Sequence, residues 1–194
     1  MEAGTSDPNS CAEPAAVALK DLELPPQLFQ NIFTSLGSSS TLQTLELCDL
    51  RASNDGPEGV LGHLPLVLQG CSHLSSLSLC RIEGTTEQYV GVSGELLKLT
   101  QLTKLVLDMT SQEHDFADSI LSLHFASILK HMHQLRAFAL NCAFKSWGQI
   151  FKHISLLTAL EDLRLKGIGC LEGSDSGREP LDRFTGLYAG PQAY

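Results

Sequence analysis

Residues 38–50 read SSSTLQTLELCDL, with leucines at Leu42, Leu45 and Leu47. A gap of three followed by a gap of two fits neither a helical face nor the plain alternation of a half-buried strand. The frame L-x-x-L-x-L returns at Leu74, Leu77 and Leu79 in HLSSLSL, and at Leu102, Leu105 and Leu107 in QLTKLVL. It returns twice more, as Leu135, Phe138 and Leu140 and as Leu160, Leu163 and Leu165. The copies begin at positions 42, 74, 102, 135 and 160, a mean step near 29.5 residues. A frame recurring at this period belongs to a solenoid, in which each copy is one supersecondary unit and stacked neighbours build the core.

A helical pattern precedes each copy. Leu28, Phe29, Ile32, Phe33 and Leu36 mark one face, with Gly37 as the stop. Val60, Leu61, Leu64, Val67 and Leu68 form a second pattern broken by Pro65, and Leu96, Leu97 and Leu99 a short third one. The fourth runs through Ile120, Leu121, His124, Phe125, Ile128, Leu129 and Met132, and the fifth through Trp147, Ile150, Phe151 and Ile154. Strand and helix alternating at this period predict an α/β solenoid: a curved parallel sheet inside, helices outside, right-handed β–α turns and about five repeats. Strands are expected near 45–47, 77–79, 105–107, 138–140 and 163–165.

These helix-containing repeats resemble the ribonuclease-inhibitor-like class of leucine-rich repeats, over residues 24 to about 168. The resemblance implies a Cys or Asn at the ninth place of each frame, bonding the backbone of the turn. This chain has Leu50, Ile82, Thr110, Ala143 and Ile168 there, which predicts an irregular turn ladder. The stretch LELPPQLFQNIFTSLGSSSTLQTLELCDL also resembles the opening of an F-box in its L-P-P-x-L, its Ile32-Phe33 pair and Leu42. That second resemblance implies an adaptor or substrate-recognition subunit of a cullin-type ubiquitin ligase.

Residues 1–22, rich in Ser, Pro, Ala, Glu and Asp, read as a disordered lead. The repeat domain is expected at 23–169 and an irregular, poorly ordered tail at 170–194. Without a polar cap in that tail, Leu163, Leu165 and Ile168 form an open edge. Either the tail folds over this edge or the chain is a piece of a longer repeat protein.

Composition narrows function. The net charge of -9, with 13 scattered basic residues, argues against a nucleic-acid partner and an anionic membrane surface. Neither a membrane-spanning apolar run nor a secretory signal is present. The six cysteines show no C-x-x-C spacing, and Cys48, Cys80 and Cys142 fall on or just after repeat strands. Free thiols in a reducing compartment follow, hence a cytoplasmic or nuclear protein. The H-x-H of His131 and His133 supplies only two ligands. His124 lies on an apolar helix face, the place of a core histidine. Gly167, Gly169 and Gly173 miss the spacing of a dinucleotide loop. No catalytic, cofactor or metal constellation emerges, and the chain reads as a non-enzyme.

The fold itself makes a surface. Residues between the frame leucines point away from the helices, in columns across the concave sheet: Thr44, Ser76, Lys104, Ala137, Asp162; then Glu46, Ser78, Val106, Ala139, Arg164; then Cys48, Cys80, Asp108, Asn141, Lys166. Val106, Ala137 and Ala139 make a small apolar centre, and Lys104, Asp108, Asn141, Asp162 and Arg164 a polar rim, the composition of a protein interface. The expected function is to bind a protein partner there, as a monomer or within a hetero-complex.

Overall fold

The computed structural model describes residues 15–53, 59–109, 118–142 and 147–167, with residues 118–122 described by their backbone. Strand and helix alternate without exception: β1 Ala15–Leu24, α1 Pro26–Gly37, β2 Leu42–Ala52, α2 Gly59–Gly70, β3 Ser76–Cys80, α3 Thr86–Leu96, β4 Lys104–Asp108, α4 Asp118–His131, β5 Ala137–Asn141, α5 Gly148–Ile154 and β6 Asp162–Lys166. The strands form one six-stranded sheet in chain order, every neighbouring pair parallel. All five expected strands are present.

The register shows why the frame is conserved from copy to copy. Leu45, Leu77, Leu105, Phe138 and Leu163 stand side by side, and so do Leu47, Leu79, Leu107, Leu140 and Leu165. The first four of each row are buried, and the leading leucines Leu42, Leu74, Leu102 and Leu135 close the same core. Burying such a side chain contributes about 1.5–3 kcal/mol, so these rows supply much of the cohesion between repeats. The rows weaken at the end, where Leu163 is 37% exposed and Leu165 only half-buried. No helix follows β6 among the described residues to cover them. Ile168 and the tail expected at 170–194 lie outside the described residues.

One boundary is corrected. Residues 15–22, expected in a disordered lead, form most of β1, which pairs with β2 from Ala15↔Leu42 to Leu24↔Ala52. Val17, Leu19 and Leu22 take the register places of Leu45, Leu47 and Leu50. VALKDL is therefore a copy of LELCDL 28 positions earlier, with valine in the place of the frame's second leucine. Residues 1–14 lie outside the described residues.

The F-box expectation is corrected too. Its stretch folds as the end of β1, one helix and β2, because Phe29 and Phe33 are committed to the solenoid core, their rings 5.9 Å apart. The three helices of an F-box do not form. Two further stripe positions differ from expectation: Leu28 and Phe151 are each 43% exposed. Phe151 instead lies beside Trp147, ring centroids 5.8 Å apart, at the edge of the seven-residue α5.

Local signals set the helix starts. α1 opens on Pro25 and Pro26, whose fixed φ suits a first turn and whose missing N–H would have had no partner there. α3 opens on a capping box: the Gln88 N–H donates to Thr85 Oγ1 at 3.3 Å, and the Thr85 N–H to Gln88 Oε1 at 2.8 Å.

At the turns, the ninth-place residues Leu50 and Ile82 are buried plugs, and other groups bond the backbone. Tyr89 donates its hydroxyl to the Ile82 carbonyl at 2.7 Å. Backbone rungs continue the ladder, from the Arg81 N–H to Asp108 O and from the Met109 N–H to Asn141 O, both 2.8 Å. Thr110, Ala143 and Ile168 lie outside the described residues. Asp21, Asp49, Arg81 and Gly167, all four places after the frame's second leucine or its equivalent, have positive φ. Glycine and aspartate accept that conformation readily and arginine does not. At Arg81 a forked ion pair compensates, Nε to Asp49 Oδ1 at 2.7 Å with Nη2 on Oδ2.

α1 and α2 meet through glycines at their C-terminal ends. A Cβ on Gly70 would lie 1.6 Å from the Gly37 carbonyl oxygen, so only backbone separation can admit one. Gly70→Ala is expected to cost about 1–3 kcal/mol or more through this overlap. A denaturant melt superimposable on wild type would show that the two helices are not in contact here.

Candidate functional site

The three sequence-derived columns are real rows of the sheet. Thr44, Ser76, Lys104, Ala137 and Asp162 are register partners in turn, as are Glu46, Ser78, Val106, Ala139 and Arg164, and Cys48, Cys80, Asp108, Asn141 and Lys166. They alternate with the buried frame residues and so leave the sheet on the side opposite the helices, here called the open face. All eight expected site residues lie together on β4, β5 and β6.

Their exposure is graded. Val106, Asp108, Ala137, Ala139 and Asn141 are half-buried, while Lys104, Asp162 and Arg164 are exposed. Asn141 Nδ2 donates to Asp108 Oδ1 at 3.2 Å. On β6 Arg164 pairs within its own strand with Asp162 at 3.0 Å. The centre of the face thus carries small side chains, with charge held at its ends.

Sequence reasoning missed the contribution of β1, whose Ala16, Ala18 and Lys20 extend the three rows. Lys20 Nζ lies 2.9 Å from Glu46 Oε1, and this contact holds the Glu46 carboxyl below the usual carboxylate range. Arg81 does the same to Asp49. Asp21, Leu22 and Glu23 in the last part of β1, Asp49 and Arg51 in that of β2, and Arg81 just after β3 line an open depression of about 350 Å³. The signal for this end was the repetition of VALKDL in LELCDL.

The remaining candidates are dispersed. His131 and His133 are exposed at the end of α4 and just beyond it. His124 is half-buried, its Nδ1 3.4 Å from Ser93 Oγ. Gly167 occupies the left-handed turn after β6; Gly169 and Gly173 lie outside the described residues.

Parallel strands carrying one leucine frame per β–α unit, with helices on one side and a ladder of short side chains on the other, define a fold of the leucine-rich-repeat kind. Among solved structures the chain is similar to leiomodin-1 actin-binding site 2, with 18% identity, a TM-score of 0.58, and coverage of 76% of this chain and 82% of that one. The likeness is one of fold. No protein-family model matches the chain, and no curated protein sequence matches it.

Proposed function

We propose that this chain is a non-catalytic module that binds a protein partner through the concave, open face of its sheet, in the cytoplasm or nucleus. The observation that carries this reading is the run Ser78, Val106 and Ala139 across the middle row, with Ala137 beside it and charged groups only toward the ends. Small side chains let a partner approach the sheet closely, and the charged ends fix its register, since charge at a rim sets specificity more than affinity. The name of the structural neighbour, an actin-binding site, adds support in general terms, because a similar fold there serves a protein ligand. The four described cysteines are all free thiols, which suits a reducing compartment. No feature of the described residues favours a ubiquitin-ligase role.

The test is comparative capture. Proteins retained from a cytosolic extract by wild type are expected to be lost with Ala139→Arg, which fills the centre of the row with a long charged side chain. They should be retained with Leu66→Arg, placed on an exposed α2 position. Retention by both variants, each shown to be folded by circular dichroism, would reject the face.

A further inference from the structure

The open face carries a second feature, at its N-terminal end, that protein binding does not use. Cys48 of β2 and Cys80 of β3 are direct register partners. Both are free and partly exposed. Adjacent strands run about 4.8 Å apart and in-register side chains leave the same face, so the two sulfurs stand beside each other over the sheet. Around them, Cys48 Sγ donates to Glu46 Oε1 at 3.8 Å, and Cys80 Sγ lies 3.4 Å from Ser78 Oγ.

We propose that Cys48 and Cys80 form a two-sulfur site for a soft monovalent cation, the cuprous ion. Three physical points select that class. Soft thiolate ligands favour Cu(I), whereas oxygen-preferring cations need carboxylates and carbonyls in number. Zinc requires about four ligands, and among the described residues no three His, Cys, Asp or Glu side chains gather to hold a metal. A direct disulfide needs Cβ atoms about 3.5–4.5 Å apart, closer than in-register positions of a parallel ladder place them. An atom between the sulfurs suits the spacing better.

Binding forms two S–Cu bonds and releases both thiol protons to solvent, with no change of oxidation state. The site passes from neutral to a single negative charge. The Lys20 ammonium, ion-paired with Glu46 at 2.9 Å, has a field that also reaches both sulfurs and lessens the cost of that charge. Because binding displaces thiol protons, affinity should rise with pH.

The test is independent of the proposed partner. The full chain, with Cys11→Ser and Cys170→Ser to remove the two thiols outside the described residues, so that only the buried Cys71 and Cys142 remain beside the pair, is reduced, kept anaerobic and titrated with Cu(I) delivered from a bicinchoninate complex. One ion per chain is expected, with an ultraviolet thiolate-to-copper band, a two-sulfur shell by X-ray absorption and release of two protons. Adding either Cys48→Ser or Cys80→Ser should weaken binding at least about 100-fold, while Cys71→Ala, at a buried thiol on the helix side, should leave it unchanged. Each variant's fold is checked by circular dichroism, and if one fails to fold the other carries the comparison. Absence of binding in the parent, or equal affinity after loss of either sulfur, would overturn the site.

Discussion

Leu105→Ala is expected to lower the unfolding free energy by about 2–5 kcal/mol, the range for emptying a leucine site in a packed core. Leu105 is 1% exposed and stands in register between Leu77 and Phe138, both buried. Its cavity opens in the middle of the stack, where repeats on both sides depend on it for their own burial, so relaxation into the gap is poor. Since a small domain is stable by only about 5–15 kcal/mol, the loss takes a large share of the total. The matched comparison is Leu163→Ala at the uncovered end. That side chain is 37% exposed and, among the described residues, has a strand on one side only, so it should cost about 1 kcal/mol. Urea melts of both variants decide the matter. Equal losses would mean that the frame leucines do not act as a graded stack.

The contrast between these two leucines also explains what the sequence made legible. The strands β3 to β6 could be placed to within a residue at each end, because three apolar positions at fixed gaps leave little freedom of register, whereas β2, expected near 45–47, runs from Leu42 to Ala52. β1 escaped because Val17 stands in the place of the frame's second leucine and the surrounding composition is that of a linker. Only alignment against the next copy reveals it. The apolar pattern predicts only a short helix around Leu96, Leu97 and Leu99, yet α3 runs from Thr86 to Leu96. Its inward face uses Tyr89, Val92 and Ser93, all buried, and a serine and a tyrosine do not register in an apolar pattern. The signal that was available is the T-x-x-Q of Thr85 and Gln88, a capping box that marks a helix start regardless of hydropathy.

The candidate face was more legible than the edges of the fold, for a geometric reason. Once the frame fixes which residues point inward, strand alternation fixes which point outward, and parallel register aligns them across repeats. Pairings that depend on side-chain reach were not legible. Lys20 to Glu46 and Arg81 to Asp49 link residues 26 and 32 positions apart, separations that become contacts only after the solenoid has stacked.

Val106→Glu bears most directly on function. Val106 is half-buried on β4, and its row neighbours Ser78 and Ala139 carry no charge, so the exposed Lys104, two places along the same strand, can only screen an added carboxylate in part. In the free protein the new charge faces water, and stability should shift by about 0.5 kcal/mol, with a strand-propensity contribution within about 1 kcal/mol. In a complex covering the row the same charge is desolvated without a partner, at a cost of about 2 kcal/mol or more, which is roughly a 30-fold loss of affinity. The rival surface is the helix layer, where Leu123 is 56% exposed and Leu66 is 54% exposed. Leu123→Glu is therefore the informative second arm, because it alters that layer while leaving the sheet untouched. With a purified partner, titration calorimetry of wild type and the two variants is expected to show weakened binding for Val106→Glu alone. Weakened binding for Leu123→Glu alone would move the site to the helices, and loss in neither would place it on the turns that join the strands to them.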